Sequence, residues 1–259
     1  MKVRPAAVAG LFYPDDANEL SAMVRDFLQA APEPTYHAKA IIAPHAGHIY
    51  SGPTAAFAYK ALDAGKVERV VLFGPSHRVA FQGMALPDAD VFETPLGRIP
   101  LDQEAMQLAL SQPWVNVNAA AHAMEHSLEV HLPFLQTVLG KFRLVPLCVG
   151  MATPSQVASV IDALWDGDET AIVISSDLSH YHSYDEARLL DQATVRDILD
   201  NAGPLNHEQA CGATPINGLL ELAGGRHLEA SLLDYRNSGD TAGDRERVVG
   251  YTSIAFHER

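Results

Sequence analysis

The residues placed to do chemistry stand where apolar runs stop. His45 lies in AIIAPHAGHIYSG, residues Ala40 to Gly52, and His77 in RVVLFGPSHRV, residues Arg69 to Val79. Each stretch is a run of β-branched and apolar residues that ends abruptly in a Pro/Gly turn carrying an imidazole. A third run, AIVISSDLSHYHS, ends in the polar burst Ser175, Ser176, Asp177, Ser179, His180, Tyr181 and His182. If these runs are strands of one parallel sheet, their side chains meet just past the carboxyl ends, where open α/β sheets put ligands. One histidine at a strand end is more often a hydrogen-bonded loop residue than a ligand; the repeated construction is what carries the case. Two neutral imidazoles with one carboxylate leave open positions on an Fe(II)-type ion. A divalent metal is therefore the expected cofactor, iron first, with copper or zinc as the other candidates, held by His45, His77 and a third ligand still to be found.

Other polar residues compete for roles. His48 and His182 are read as surface histidines. The segment AHAMEHSLEVHLPFLQTVLG gathers His122, Glu125, His126, Glu129 and His131 where an apolar helix begins. His126 and His131, five apart, point about 140° away from each other on a helix, whereas zincin ligation needs one face. HExxH is absent. Glu125 and His126 either line the crevice and support a ligand from behind, or simply cap the helix. A nucleophilic triad would take Ser76 with His77, or Ser127 with His126, together with Asp177. No G-x-S-x-G elbow is present, and adjacent Ser-His residues usually point apart. Neither a Walker A sequence nor GxGxxG after the first strand offers a phosphate cradle. Cys148 and Cys211 read as small core or turn residues, with an exposed thiol at Cys211 as the alternative.

The elements that must position these groups are legible as strands alternating with helices. A helix from about Asp16 to Ala30 shows Leu20, Met23, Val24, Phe27 and Leu28 on one face. The strand Ala38 to Ala43 is followed by an Ala-rich helix opened by Ser51 and Pro53, then by the strand carrying His77. That order predicts a βαβ unit with a right-handed crossover. Residues Gln82 to Leu101 read as an antiparallel excursion, Glu104 to Leu110 as a short helix, and Trp114 to Ala121 as strand or loop. Phe142 to Gly150 is a third buried strand, followed by a helix capped by Thr153 with Pro154 in its first turn. Helices at Asp185 to Asn201 and around Pro215 to Leu222 precede a strand, an acidic Gly-rich loop and a last strand, Val248 to Phe256. With no linker and no solenoid repeat, residues 1–259 are expected to form one α/β domain.

Composition narrows the partners. Hydrophobic residues make up 47% and charged residues 19% of the 259, as in ordinary globular chains. A formal net charge of -14 argues against nucleic acid or an anionic membrane and favours a cation. Two cysteines far apart build neither a disulfide framework nor a CxxC zinc site. No signal-type h-region is seen, and no segment approaches the roughly 18 uninterrupted apolar residues of a membrane span. A cytoplasmic protein is expected.

Taken together, IIAPHAGHIYSGPTAAFAYKAL, GPSHRV, ETPLG, EHSLEVHLPF, SSDLSHYHSYDE and SGDTAGDRERVVGY resemble the Memo family, in its prokaryotic branch called AmmeMemoRadiSam system protein B. The likeness runs from LFYP near the start to VVGY near the end, with the motifs in order. It implies a single three-layer α/β/α domain with a mostly parallel central sheet, similar to the class III extradiol dioxygenases. It also implies metal ligands at His45 and His77, and an acid/base histidine at His180 that Asp177 would orient. Animal members place a cysteine in the loop before the last strand. Thr241 stands there in this chain, so Asp240 or Asp244 is expected to supply a carboxylate ligand instead, favouring iron over copper. The resemblance further implies oxygen-dependent or redox chemistry on a small chelating substrate. The alternative it offers is a non-catalytic cleft that binds a peptide or a partner such as a radical SAM enzyme or an AMMECR-type protein.

Overall fold

The computed structural model describes residues 1–258. Its strands are β1 Val3–Arg4, β2 Ala40–Ala43, β3 Arg69–Pro75, β4 Met84–Leu86, β5 Val91–Thr94, β6 Gly97–Pro100, β7 Val115–Val117, β8 Arg143–Val149, β9 Thr170–Ser175, β10 His180–His182, β11 Leu228–Asn237 and β12 Val248–Glu258. Its helices are α1 Ala17–Ala30, α2 His48–Lys60, α3 Gln103–Leu110, α4 Ala119–Ala123, α5 Leu132–Leu139, α6 Pro154–Ala163, α7 Tyr184–Leu199 and α8 Ala213–Gly225.

The main sheet runs β10-β12-β2-β9-β3-β8-β4-β7, with β11 on the other edge of β12. Its centre, β2-β9-β3-β8, is entirely parallel. Buried on both faces, these four strands read as near-continuous apolar runs: Ile41, Ile42, Val70 to Phe73, Leu144, Leu147 and Ile172 to Ile174 are all fully enclosed. Antiparallel pairings of β12 with β2, β10 and β11, and of β4 with β8, finish the flanks. The sheet is thus parallel where the histidine-bearing strands lie and mixed outside. Helices α1, α2 and α5 pack on one another in one layer, and α6 pairs with α8 in the other, giving the three-layer α/β/α arrangement. A small sheet, β1-β5-β6, sits apart and contains the antiparallel hairpin of the 82–101 excursion.

Two local expectations change. Strands β2 and β3 are parallel, as a βαβ unit requires, but β9 lies between them. Helix α2 starts at His48 on Gly47 rather than at Ser51, so Pro53 falls inside it. Proline lacks the N–H that would reach the carbonyl four residues earlier, and that carbonyl belongs to Ile49, in the first turn of the helix. Elsewhere the caps behave as read: Asp16 accepts from the amides of Asn18 and Glu19, and Thr153 with Gln156 forms a capping box ahead of Pro154. Among the described residues no helix is long and apolar enough to cross a membrane.

Candidate metal centre

The insertion of β9 decides the site. It places Ser175, Ser176 and Asp177 between the ends of β2 and β3, and so between His45 and His77. Ser175 Oγ donates to the carbonyl of Ser127 at 2.6 Å, which leaves its lone pairs to accept from His45 Nδ1, also at 2.6 Å. His45 therefore carries its proton on Nδ1 and presents a bare Nε2. His77 is fixed in the same sense, because its Nδ1 lies 2.9 Å from Glu125 Oε1, an acceptor when ionised. The second Glu125 oxygen takes the His77 amide at 2.7 Å, while Oε1 also receives the amides of His126 and Ser127, each at 2.9 Å. One carboxylate thus holds two histidines and the loop that bears the second.

The third ring is His126. The imidazoles of His45, His77 and His126 offer nitrogens that all lie within 4.8 Å of one another. His77 and His126 stack with centroids 4.5 Å apart, and His45 stands edge-on at 5.2 Å and 5.4 Å. Phe12 closes against the other side of His126 at 4.6 Å. Burial lowers the pKa of His126 and takes that of His45 well below the usual histidine value, with the neighbouring His77 adding to both shifts. Both rings are thus neutral at neutral pH, the form that ligates. For Glu125 burial acts to raise the pKa, but the hydrogen bonds from the His77 ring and from the Ser127 and His77 amides outweigh it and hold the carboxyl at about 2.

The expected carboxylate ligands lie elsewhere. Asp240 takes the Tyr184 hydroxyl at 2.5 Å and the Asn237 amide at 3.0 Å, closing the turn between β11 and β12. Asp244 accepts from the amides of Glu246 and Arg247. Among the described residues neither belongs to the three-imidazole group, which His126 completes.

Asp177 is buried beside His45. Its Oδ1 takes the His45 amide at 2.8 Å, and Oδ2 lies 4.0 Å from His45 Nε2. Burial raises its carboxyl above the ordinary value against the opposing pull of His180 and of the His45 amide. His180, half-buried on β10, is close enough to influence both Asp177 and His45. Asp177 therefore bears on His180 through space, its hydrogen bond being spent on the backbone of His45.

The serine hydroxyls of the hydrolase reading are occupied. Ser76 donates to the carbonyl of Val79 at 2.7 Å and Ser127 to that of Pro75 at 2.8 Å. Neither is turned to an imidazole, which removes the triad. Ser76 does line, with His77, Phe81, Met151, His207 and Cys211, a cleft of about 350 Å³. A larger groove of about 460 Å³, lined by Glu68, Arg98, Gln136 and Arg143, holds none of these histidines. It lies at the start of β3 and β8, the opposite rim from the site. His48 is not a surface residue: it is buried, with Nε2 2.9 Å from the carbonyl of Val130. Cys148 is a core residue as expected, whereas Cys211 brings its sulfur to 3.4 Å from His45 Nε2.

Glu125→Gln tests the support. The neutral amide cannot accept all four N–H groups and presents a donor where an acceptor is needed, so divalent-metal affinity should drop about 10- to 100-fold. Competition with a chromophoric chelator measures it, and an unchanged affinity would show that Glu125 only braces the loop.

Comparison with known proteins finds relatives along nearly the whole chain. The profile of the Memo-like protein family matches residues 4–255. A "MEMO1 family protein" of Aquifex aeolicus (strain VF5) is 36% identical, the alignment covering 99% of this chain and 100% of that one. One from Ignicoccus hospitalis is 35% identical over 99% of both. Another, from Methanosarcina acetivorans, is 35% identical over 98% of this chain and 99% of its own length. With the fold and full-length similarity in accord, the chain belongs to the Memo family.

Proposed function

We propose that this protein binds a divalent metal through His45, His77 and His126 and uses the remaining coordination positions for a small chelating substrate. The observation that carries the reading is the fixed tautomer: Ser175 and Glu125 each tie back an Nδ1, leaving Nε2 of His45 and of His77 as the unprotonated nitrogen. Three neutral imidazoles whose nitrogens converge within 4.8 Å offer lone pairs that a cation can bridge. The donor set suits zinc, copper and iron alike. Bound iron would supply oxygen or redox chemistry of the dioxygenase-like kind, and bound zinc would supply Lewis acidity.

The chain's own groups have separable tasks. His180 accepts the proton released when a substrate hydroxyl approaches the site, and the Asp177 carboxylate stabilises the imidazolium so formed. Phe12 walls the inner side of His126 against water. Metal analysis of protein purified without chelators, followed by equilibrium dialysis, provides the test. About one equivalent of bound metal is expected for the native chain and far less for His126→Ala. Retention of full stoichiometry in that variant would end the three-imidazole reading.

A second reading is favoured by the apolar residues that flank the site in sequence. Leu11, Ile49 and Met124 are exposed, and each adjoins a segment that shapes the centre. Such a rim suits a peptide or a partner protein, with a radical SAM enzyme or an AMMECR-type protein as candidates. Co-purification with such a partner, undiminished by His126→Ala and unaccompanied by metal-dependent oxygen uptake, would select this reading over the enzymatic one.

A further inference from the structure

We propose that Asp191 is the positioning residue of His180, holding in place the strand end from which that ring reaches the centre; the inference rests on the reading of His180 as proton acceptor. Asp191 sits on α7, two turns past the Ser183–Glu186 capping box, and is fully buried. Its helix packs on β10, β11 and β12. An apolar residue would fill such a place without the desolvation that a buried carboxyl suffers. The carboxylate is directed instead at one peptide group. Its Oδ1 accepts the Ser179 amide at 3.0 Å, and Oδ2 is steadied by the Tyr235 hydroxyl at 3.1 Å. Burial raises the carboxyl above its ordinary value, and the donors of Ser179 and Tyr235 and the nearby His180 oppose that rise.

Ser179 immediately precedes His180 and is gripped from both sides. While Asp191 takes its amide, its carbonyl accepts from the Gly250 amide at 2.9 Å, and the Gly250 carbonyl accepts from Leu178 at 2.8 Å. Gly250 is also what admits the carboxylate, since a Cβ there would stand 2.1 Å from Asp191 Oδ2. Downstream the chain is held less well. The register of β10 against β12 slips between His180 and His182, and Tyr181 takes a left-handed φ of 64°, where a residue with a Cβ is strained. Asp177 and His45 face His180 from the strand ends, Asp191 from α7, and the Tyr181 ring stands edge-on at 5.7 Å. Because Asp177 gives its hydrogen bond to the His45 amide, the placing of His180 falls to its backbone, and so to Asp191.

Two NMR measurements on the full-length protein test this without any assay of activity. In metal-stripped protein, ¹⁵N relaxation should give the His180 backbone an order parameter of about 0.85, and Asp191→Ala should drop it below about 0.6 while His45 and His77 stay rigid. Asp191→Asn keeps an oxygen for the Ser179 amide and should restore the rigidity, which separates an anchor from an effect of charge. In Co(II)-loaded protein the His180 ring should show one through-space paramagnetic shift, set by its place relative to the ion. Asp191→Ala should scatter or broaden that signal while the signals of His45, His77 and His126 persist. Gly250→Ala crowds the carboxylate without removing it and should act in the same sense; it decides the matter if Asp191→Ala does not fold. A rigid His180 in these two variants, an Asp191→Asn protein as mobile as Asp191→Ala, or mobility that spreads equally to His45 and His77 overturns the assignment. Failure to take up Co(II), or a native His180 signal without a paramagnetic shift, sinks the reading of the centre, whereas relaxation in the stripped protein decides the anchor by itself.

Discussion

Glu129→Ala should lower the free energy of unfolding by about 3–5 kcal/mol, the usual cost of removing one partner from a buried ion pair. Glu129 is fully enclosed and Arg4 is 6% exposed. The carboxylate pairs with the Arg4 guanidinium, accepts the amides of Ala7 and Val8 at 2.8 and 3.0 Å, and takes the Tyr13 hydroxyl. Removing it strands a buried cation and three donors together. The loss reaches the centre as well, because Arg4 also donates to the carbonyls of His122 and Glu125 at 2.9 to 3.1 Å and so pins the loop that carries Glu125 and His126. Urea denaturation of the metal-stripped protein measures the effect. A shift below about 1 kcal/mol would mean that the N-terminal segment is only loosely attached.

Acid should weaken the fold well before its carboxylates are titrated in bulk. Burial holds His48 and His122 at about 4, each ring having one nitrogen on a backbone carbonyl, Val130 for His48 and Ala85 for His122. An unfolded histidine titrates near 6.5. Between these values the unfolded chain binds protons that the folded one refuses. The stabilisation is therefore complete above pH 6.5, declines as pH falls toward 4, and is spent below that. Each histidine contributes at most about 3 kcal/mol over that interval. Asp177 and Asp191, whose carboxyls burial raises, oppose the trend in part. Denaturation of chelator-treated protein at pH 7.5 and 4.5 should show a loss of several kcal/mol. His48→Gln, which keeps a donor for the Val130 carbonyl, should remove only that ring's share of the slope, since burial depresses His45, His126 and His131 as well. Equal stability at the two pH values would refute this account of both rings.

Much of this architecture is legible in the sequence because a buried parallel sheet leaves a coarse signal. Runs such as VVLF and AIVIS admit few alternatives, and the Pro/Gly turns after them locate the rim. That signal puts His45 and His77 at one rim, where their rings lie together. His126 was legible as a neighbour but not as a member, since its ring reaches the centre through a loop whose path is set by Glu125, and helical spacing says nothing about loops. Asp240 is suggested by its place beside Thr241 in the resemblance, yet a short turn claims its oxygens. Cys211 was hidden for a different reason. It lies far from His45 in sequence, and what joins them is the placement of β9 between β2 and β3, a fact of strand order to which local pattern is blind.

That strand order also dictates when the centre can exist during synthesis. The rings at positions 45, 77 and 126 leave the ribosome well before residues 170–177, yet the first of them has neither its seryl anchor nor its aspartyl backstop until the later strand slides in. A nascent chain stalled short of that point would hold the second and third rings through Glu125 but not the first, so the three nitrogens converge only in the finished molecule.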